Sequence, residues 1–124
     1  MENIKAEDIM IIDVATIDAD ESVVLARLRM VRLGIGGLPV MRGEKIVGMI
    51  THRDTILAGD EASSLKVRDI MTPKVHTITK KTSLKEIAAI MKETGYQRLP
   101  VVENKKLVGI VTQSCIINAL AERL

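Results

Sequence analysis

The sequence predicts a mixed α/β (α+β) chain built from two β-α-β-β-α units, and three observations predict it. Short motifs recur at one constant offset along nearly the whole length. β-Branched runs of strand length and helix-patterned stretches follow one another in the same order in each copy. Glycines and polar turns punctuate both copies at matching places. The repetition is explicit: Asp8-Ile9-Met10 returns as Asp69-Ile70-Met71, an offset of 61 (69 − 8 = 61). At that offset, without a gap, Val14-Ala15-Thr16-Ile17 meets Val75-His76-Thr77-Ile78, Gly34 meets Gly95, and Leu38-Pro39-Val40 meets Leu99-Pro100-Val101. Val47-Gly48-Met49-Ile50-Thr51 likewise meets Val108-Gly109-Ile110-Val111-Thr112. A register held across elements of different type marks a duplicated unit.

The elements follow in order. Val14 to Ile17 and Val75 to Ile78 are short β-branched runs that read as first strands. A helix comes next. In the second copy Ser83-Leu84-Lys85-Glu86 has the pattern of a capping box, and Leu84, Ile87, Ala88 and Met91 share one helix face. The matching helix of the first copy carries Val23, Ala26, Met30 and Leu33 on one face and Val24, Leu28 and Val31 on another. Two apolar stripes predict two buried faces, the second of them against another copy of the chain. Gly34 and Gly95 stop these helices, because a left-handed residue is cheapest as glycine. Two strands follow in each copy: Leu38 to Met41 and Lys45 to Thr51 around the turn Arg42-Gly43-Glu44, then Leu99 to Val102 and Lys106 to Thr112 around Glu103-Asn104-Lys105. A last helix closes each copy, near His52 to Gly59 and Gln113 to Leu124. Asp60 to Leu65 is polar and rich in small residues and reads as a linker, which sets the repeats at 1–62 and 63–124.

Composition narrows the function. Hydrophobic residues make up 47% and charged residues 27% of 124, the balance of a globular chain rather than a disordered one. Lys and Arg total 18 against 16 Asp and Glu, a net charge of +2 with no basic concentration, so nucleic acid is not an expected partner. Tyr96 is the sole aromatic residue, which also removes a stacking platform for single strands. Cys115 is the only cysteine and cannot form an internal disulfide. The leading segment Met1 to Asp8 is charged and lacks a signal-like apolar core, and every apolar run is broken before membrane-spanning length. A cytoplasmic protein without a membrane partner is the expectation.

The order of these motifs resembles the cystathionine β-synthase (CBS) domain: Asp-Ile-Met, a Val-x-Thr-Ile strand, a helix ending in glycine, Leu-Pro-Val, then Val-Gly followed by two apolar residues and threonine. Both copies carry it, so the resemblance covers nearly the whole chain. It implies two pseudo-symmetric repeats packed through their sheets, with clefts between them that take AMP, ADP, ATP or S-adenosylmethionine. It implies regulation rather than catalysis, no obligatory cofactor, a homodimer formed through the helices, and a separate effector protein that reads the ligand.

The family's ribose-binding segment is matched by Gly48-Met49-Ile50-Thr51-His52-Arg53-Asp54. An ionised carboxylate accepts hydrogen bonds from both hydroxyls of a cis-diol, Thr51 donates or accepts beside it, and a helix N-terminus favours an anion. The competing reading is that Asp54 only sits in the first turn of its helix and complements the dipole. The resemblance completes the site with Lys74, Val75 and His76, whose backbone would read the adenine edge, and with Tyr96, Gln97, Arg98 and Pro100, of which Arg98 suits a phosphate. Its alternative is a surface arginine at a strand start, and the alternative for Lys74, the favoured one, is a solvated lysine. In the second copy Cys115 stands where the aspartate belongs, and a thiol cannot hold two hydroxyls. A weaker second site would use Val14, Ala15, Gly36, Arg53, Thr112 and Cys115.

Other residues predict little chemistry. His52, His76 and Cys115 match no zinc spacing, so no metal is expected. Gly34-Ile35-Gly36-Gly37 follows a helix and enters a strand, the reverse of a dinucleotide-binding loop. The methionines read as core filler and Cys115 as an inert buried thiol. Nothing assembles a nucleophile, base and oxyanion site, so an enzyme is not predicted. A protein-interaction or dimerisation scaffold without a ligand is the alternative to the sensor.

Overall fold

Two four-residue helices that periodicity does not announce sit on the Asp-Ile-Met motifs: α1 (Ala6–Ile9) and α4 (Val67–Ile70). In each, the motif's aspartate closes the first turn. Asp8 Oδ2 accepts from the Lys5 amide at 2.8 Å, and Asp69 Oδ2 from the Lys66 amide at 2.8 Å. The recurring aspartate is therefore a helix start, which satisfies amides that four residues cannot satisfy internally. The computed structural model describes residues 3–124; Met1 and Glu2 of the charged leading segment lie outside them.

The chain divides into two compact units, Ala15–Val75 and Met1–Val14 with His76–Leu124. These do not coincide with the sequence repeats 1–62 and 63–124. Each unit takes its Asp-Ile-Met helix from the other repeat.

The unit Ala15–Val75 holds β1 (Ile17–Asp18), α2 (Val23–Leu33), β2 (Gly37–Arg42), β3 (Lys45–Thr51), α3 (His52–Leu57), a 3-10 helix (Gly59–Ser63) and α4. Its sheet has the order β1-β2-β3, parallel between β1 and β2 and antiparallel between β2 and β3, with an irregularity at Val40/Met41. Helix α2 starts on Ser22, whose hydroxyl accepts from the Leu25 amide at 3.1 Å, and ends on Gly34 at φ +66°. The core gathers Ile17, Ala19, Ala26, Met30, Leu38, Val40, Ile50 and Val67. Two expectations change here. The first strand shortens to Ile17–Asp18, because only these residues find partners, Val40 and Met41. The expected linker is largely the 3-10 helix, and Ala62 within it is buried. Of the two stripes on α2, the second keeps Leu28 and Val31 59% and 63% exposed, so no described residue covers this part of it.

The other unit holds α1, α5 (Leu84–Thr94), β4 (Arg98–Glu103), β5 (Lys106–Thr112) and α6 (Gln113–Ala121). β4 and β5 form an antiparallel pair. Ile78 adds a single parallel bridge to Val101 and Ile11 an antiparallel one to Ile110, so the expected strand Val75 to Ile78 reduces to one bridging residue. Ala6, Ile78, Ile87, Met91, Leu99, Val101, Val111 and Cys115 make the core. Ser83 caps α5 through the Glu86 amide at 3.1 Å, which is one half of the expected capping box. The last helix stops at Ala121, short of Leu124.

Candidate functional site

The chemistry collects where β3 runs into α3. Thr51 leaves the strand with extended backbone and caps the helix: its Oγ1 accepts from the Asp54 amide at 3.2 Å, and Asp54 Oδ2 accepts from the Thr51 amide at 2.9 Å. The helix-start role weighed for Asp54 is thus real. It occupies one carboxylate oxygen. Oδ1 has no partner among the described residues and the side chain is only half-buried, so an acceptor remains for a ligand hydroxyl. His52 donates its amide to the Gly36 carbonyl at 2.9 Å, which brings the Gly36 turn against the same helix start. Arg53 points to solvent.

Met49, one turn of pleat before Thr51, exchanges two backbone hydrogen bonds with Thr72, both 2.9 Å. That pairing carries the chain on to Lys74, which is exposed, and Val75, which is half-buried. Ala15 packs at the margin of the core. Within this unit the structure therefore assembles Gly36, Met49, Thr51 and Asp54, with Lys74 and Val75 a few residues beyond Thr72.

The other unit repeats the junction with different chemistry. Arg98 is the ladder partner of Thr112, and the Gln113 amide donates to the Gln97 carbonyl at 3.1 Å. Thr112 Oγ1 accepts from the Cys115 amide at 3.2 Å and lies 3.2 Å from Cys115 Sγ. Cys115 is 8% exposed and belongs to the core, so the expected burial of this thiol is what the structure shows. Arg98 is half-buried; burial pushes its guanidinium pKa down, and no acceptor for it is found among the described residues. Tyr96 and Gln97 are exposed beside it. Pro100 is buried and its carbonyl accepts from the Ile78 amide at 2.9 Å; His76, two residues earlier, is exposed, and Val14 is half-buried.

Among the described residues no group of three His, Cys, Asp or Glu could hold a metal, and no helix is long and apolar enough to cross a membrane. A groove of about 440 Å³ between α5 and α6 is lined by Ala88, Met91, Lys92, Gln113, Ile116 and Ile117, a surface for packing rather than for chemistry. Sequence reasoning missed one residue that bears on the site. Arg27 of α2 donates through Nη2 to the carbonyl of Thr55, the residue that follows Asp54 in α3. The signal available was its counterpart at the same offset, Ala88.

The CBS-domain family model matches residues 6–60 and again 67–122. Inosine-5'-monophosphate dehydrogenase of Korarchaeum cryptofilum is 42% identical over 109 residues, covering 87% of this chain but 22% of that protein. The chain thus spans about a fifth of the dehydrogenase, and the similarity is confined to that part. The CBS domain pair of protein MJ0100, solved with 5'-methylthioadenosine and S-adenosyl-L-methionine, matches with a TM-score of 0.89 and 25% identity over 98% of both chains. The Arabidopsis thaliana protein CBSX2, solved in complex with AMP, matches with a TM-score of 0.84 and 27% identity over 96% of this chain and 97% of that one.

Proposed function

Because the chain belongs to the CBS-domain family, whose model matches it twice, we propose that it is a non-enzymatic regulatory module that binds an adenosine-type nucleotide and signals to a separate effector protein. The observation that carries this reading is the Thr51–Asp54 junction, where a capped helix start holds a carboxylate with one oxygen still free. A ribose diol offers two donors to such a group, and the resulting charge-assisted bonds are roughly twice as strong as neutral ones. In this reading Met49, Lys74, Val75 and His76 meet the adenine edge. Tyr96, Gln97, Arg98 and Pro100 meet the ribose and phosphate, and Arg98 supplies an unpaired guanidinium. The solved relatives with AMP and with S-adenosylmethionine make those two compounds the ligands to test first, with ADP and ATP, which the family resemblance also implies, beside them. Cys115 offers no second acceptor at the corresponding junction, so one ribose anchor per chain is expected.

Thermal unfolding tests it. A ligand at about a hundred times its dissociation constant adds roughly 2.7 kcal/mol, a rise of several degrees in the midpoint. The rise should appear with at least one of the four compounds and vanish in Asp54→Ala. Asp54→Ala also removes a helix cap worth about 1 kcal/mol. Asp54→Asn is the companion, because its amide oxygen still accepts from Thr51 while the charge is gone. If none of the four compounds moves the wild-type midpoint, the nucleotide reading is abandoned.

A specific observation supports a second reading, self-association as a scaffold. Leu28 and Val31 on α2 and Ile56 and Leu57 on α3 are all exposed. Apolar side chains grouped on neighbouring helices mark a contact surface, and the occupant that repeats with the chain itself is a second copy. Sedimentation at tens of micromolar should give the mass of a dimer, and Leu28→Glu with Val31→Glu should return the monomer. A wild type that sediments only as monomer removes this reading.

A further inference from the structure

Helix α3 spans only His52–Leu57; among its last carbonyls that of Asp54 accepts from the Ala58 amide at 3.2 Å, and that of Thr55 looks elsewhere. Its first turn holds the Thr51–Asp54 box. Its last turn is held from outside. Arg27 on α2 reaches across and donates through Nη2 to the Thr55 carbonyl. Thr55, fully buried, turns its hydroxyl onto the His52 carbonyl at 2.7 Å. Arg27 Nε is buried without a hydrogen-bond partner, a desolvated donor that the fold tolerates in order to keep the guanidinium at this spot. A cation at the C-terminal end of a helix also opposes the negative pole of its dipole.

The other unit lacks this arrangement. At the offset of 61 the counterparts of Arg27 and Thr55 are Ala88 and Ile116, and α6 runs for nine residues where α3 runs for six. The unit with a carboxylate at the third helical position has the arginine; the unit with Cys115 there has none.

We propose that Arg27 is a positioning residue for Asp54: by tying the last turn of α3 to α2 it fixes the helix whose first turn presents the free carboxylate oxygen, and so sets the affinity for the ligand. This deepens the nucleotide reading and rests on it, so the test has one arm that needs no ligand. In the ligand-free protein, hydrogen exchange at the Thr51 and Asp54 amides reports the capping box directly. Arg27→Leu should speed that exchange about tenfold and weaken AMP binding, measured by calorimetry, by about tenfold, the loss of one charge-assisted hydrogen bond. Arg27→Lys keeps a charged donor and should recover most of both. If Arg27→Leu does not fold, Arg27→Gln, polar but too short to reach the carbonyl, takes its place. Unchanged exchange overturns the clamp, whether or not AMP binds. Faster exchange with unchanged AMP affinity overturns the positioning role and leaves Arg27 a structural residue. A wild type that binds no AMP but whose α3 loosens in Arg27→Leu overturns the ligand half and upholds the clamp.

Discussion

Gly48→Ala lowers the thermal midpoint by 10 °C or more, roughly, and Gly48→Val prevents the unit Ala15–Val75 from folding. A methyl group at Gly48 would lie 2.5 Å from Met71 Sδ and 2.9 Å from the Thr72 carbonyl oxygen. The sulfur can swing aside. The carbonyl cannot, because it accepts from the Met49 amide at 2.9 Å while the Thr72 amide donates back to Met49 at 2.9 Å. Relief therefore means pulling apart the pairing that carries the chain from β3 to Lys74 and Val75. Overpacking costs about 1–3 kcal/mol and each lost backbone bond about 1 kcal/mol. In a unit of this size 1 kcal/mol is worth about 4–8 °C. Gly109→Ala should behave alike in the other unit, where the methyl would meet Met10 Sδ at 2.5 Å and the Ile11 carbonyl at 3.2 Å. Gly43→Ala is the control: at φ +63° it is strained, yet no atom lies within 4 Å, so only about 1 kcal/mol is at stake. Circular dichroism melts decide the matter. A Gly48→Ala protein that melts within about 2 °C of Gly43→Ala refutes the close approach. Met71→Ala in the Gly48→Ala background should restore only part of the loss, because the carbonyl contact remains.

The same contacts show where a sequence can be read and where it cannot. Lys45 to Thr51 and Lys106 to Thr112 were legible as strands to the residue, because a short run rich in β-branched and apolar residues lies there between a turn and a helix cap. Val14 to Ile17 has the same composition but is not a strand over its length. A strand is defined by its partners, and β2 offers β1 only Val40 and Met41. Asp60 to Leu65 looks like a linker by polarity, yet Ala62 is buried, a single small side chain that composition does not weigh. Of the two meanings weighed for the motif Gly48 to Asp54, the helix start is the one the structure displays: Asp54 sits in the first turn of α3 and closes a capping box with Thr51. Arg27 was not legible. An arginine on a helix reads as a solvated charge, and its contact with Thr55 joins residues 28 apart in sequence. Least legible was which Asp-Ile-Met motif packs on which Val-Gly pair. The two copies of each are identical, so no pattern distinguishes Met10 on Gly48 from Met10 on Gly109.

That exchange of leading segments has the largest consequence. A chain lacking residues 1–14 should lose the unit based on His76–Leu124 and keep the unit Ala15–Val75 folded. The leading segment places Ala6, fully buried, in the core of the former, with Ile4 buried beside it. It also supplies backbone bonds at both margins. Ala6 donates to Thr82 at 2.8 Å, Glu7 to Lys80 at 3.0 Å and Leu84 to Ile4 at 2.9 Å; Ile11 and Ile110 exchange bonds of 2.9 and 3.0 Å. At about 1 kcal/mol for each bond, and more for the buried side chains, the loss reaches the ~5 kcal/mol that holds a small domain together. The exposed Lys81–Glu7 pair at 2.7 Å contributes little to this. What remains is one two-stranded pair with two helices, below the ~60 residues at which single cores become marginal. The unit Ala15–Val75 is continuous, keeps its three strands, and retains Met30, Leu38, Ile50 and Val67 in its core. Amide spectra of the truncated chain should therefore lose the dispersed signals of Val101 and Val111 while Val40 and Ile50 hold theirs, and a peptide of residues 1–14 added in trans should bring the lost signals back. A fragment cut at the repeat boundary, 63–124, should fail to fold where 15–75 succeeds. Retention of every signal in the truncated chain would mean that the leading segment only decorates a unit already complete, and that the sequence repeat is the folding unit after all.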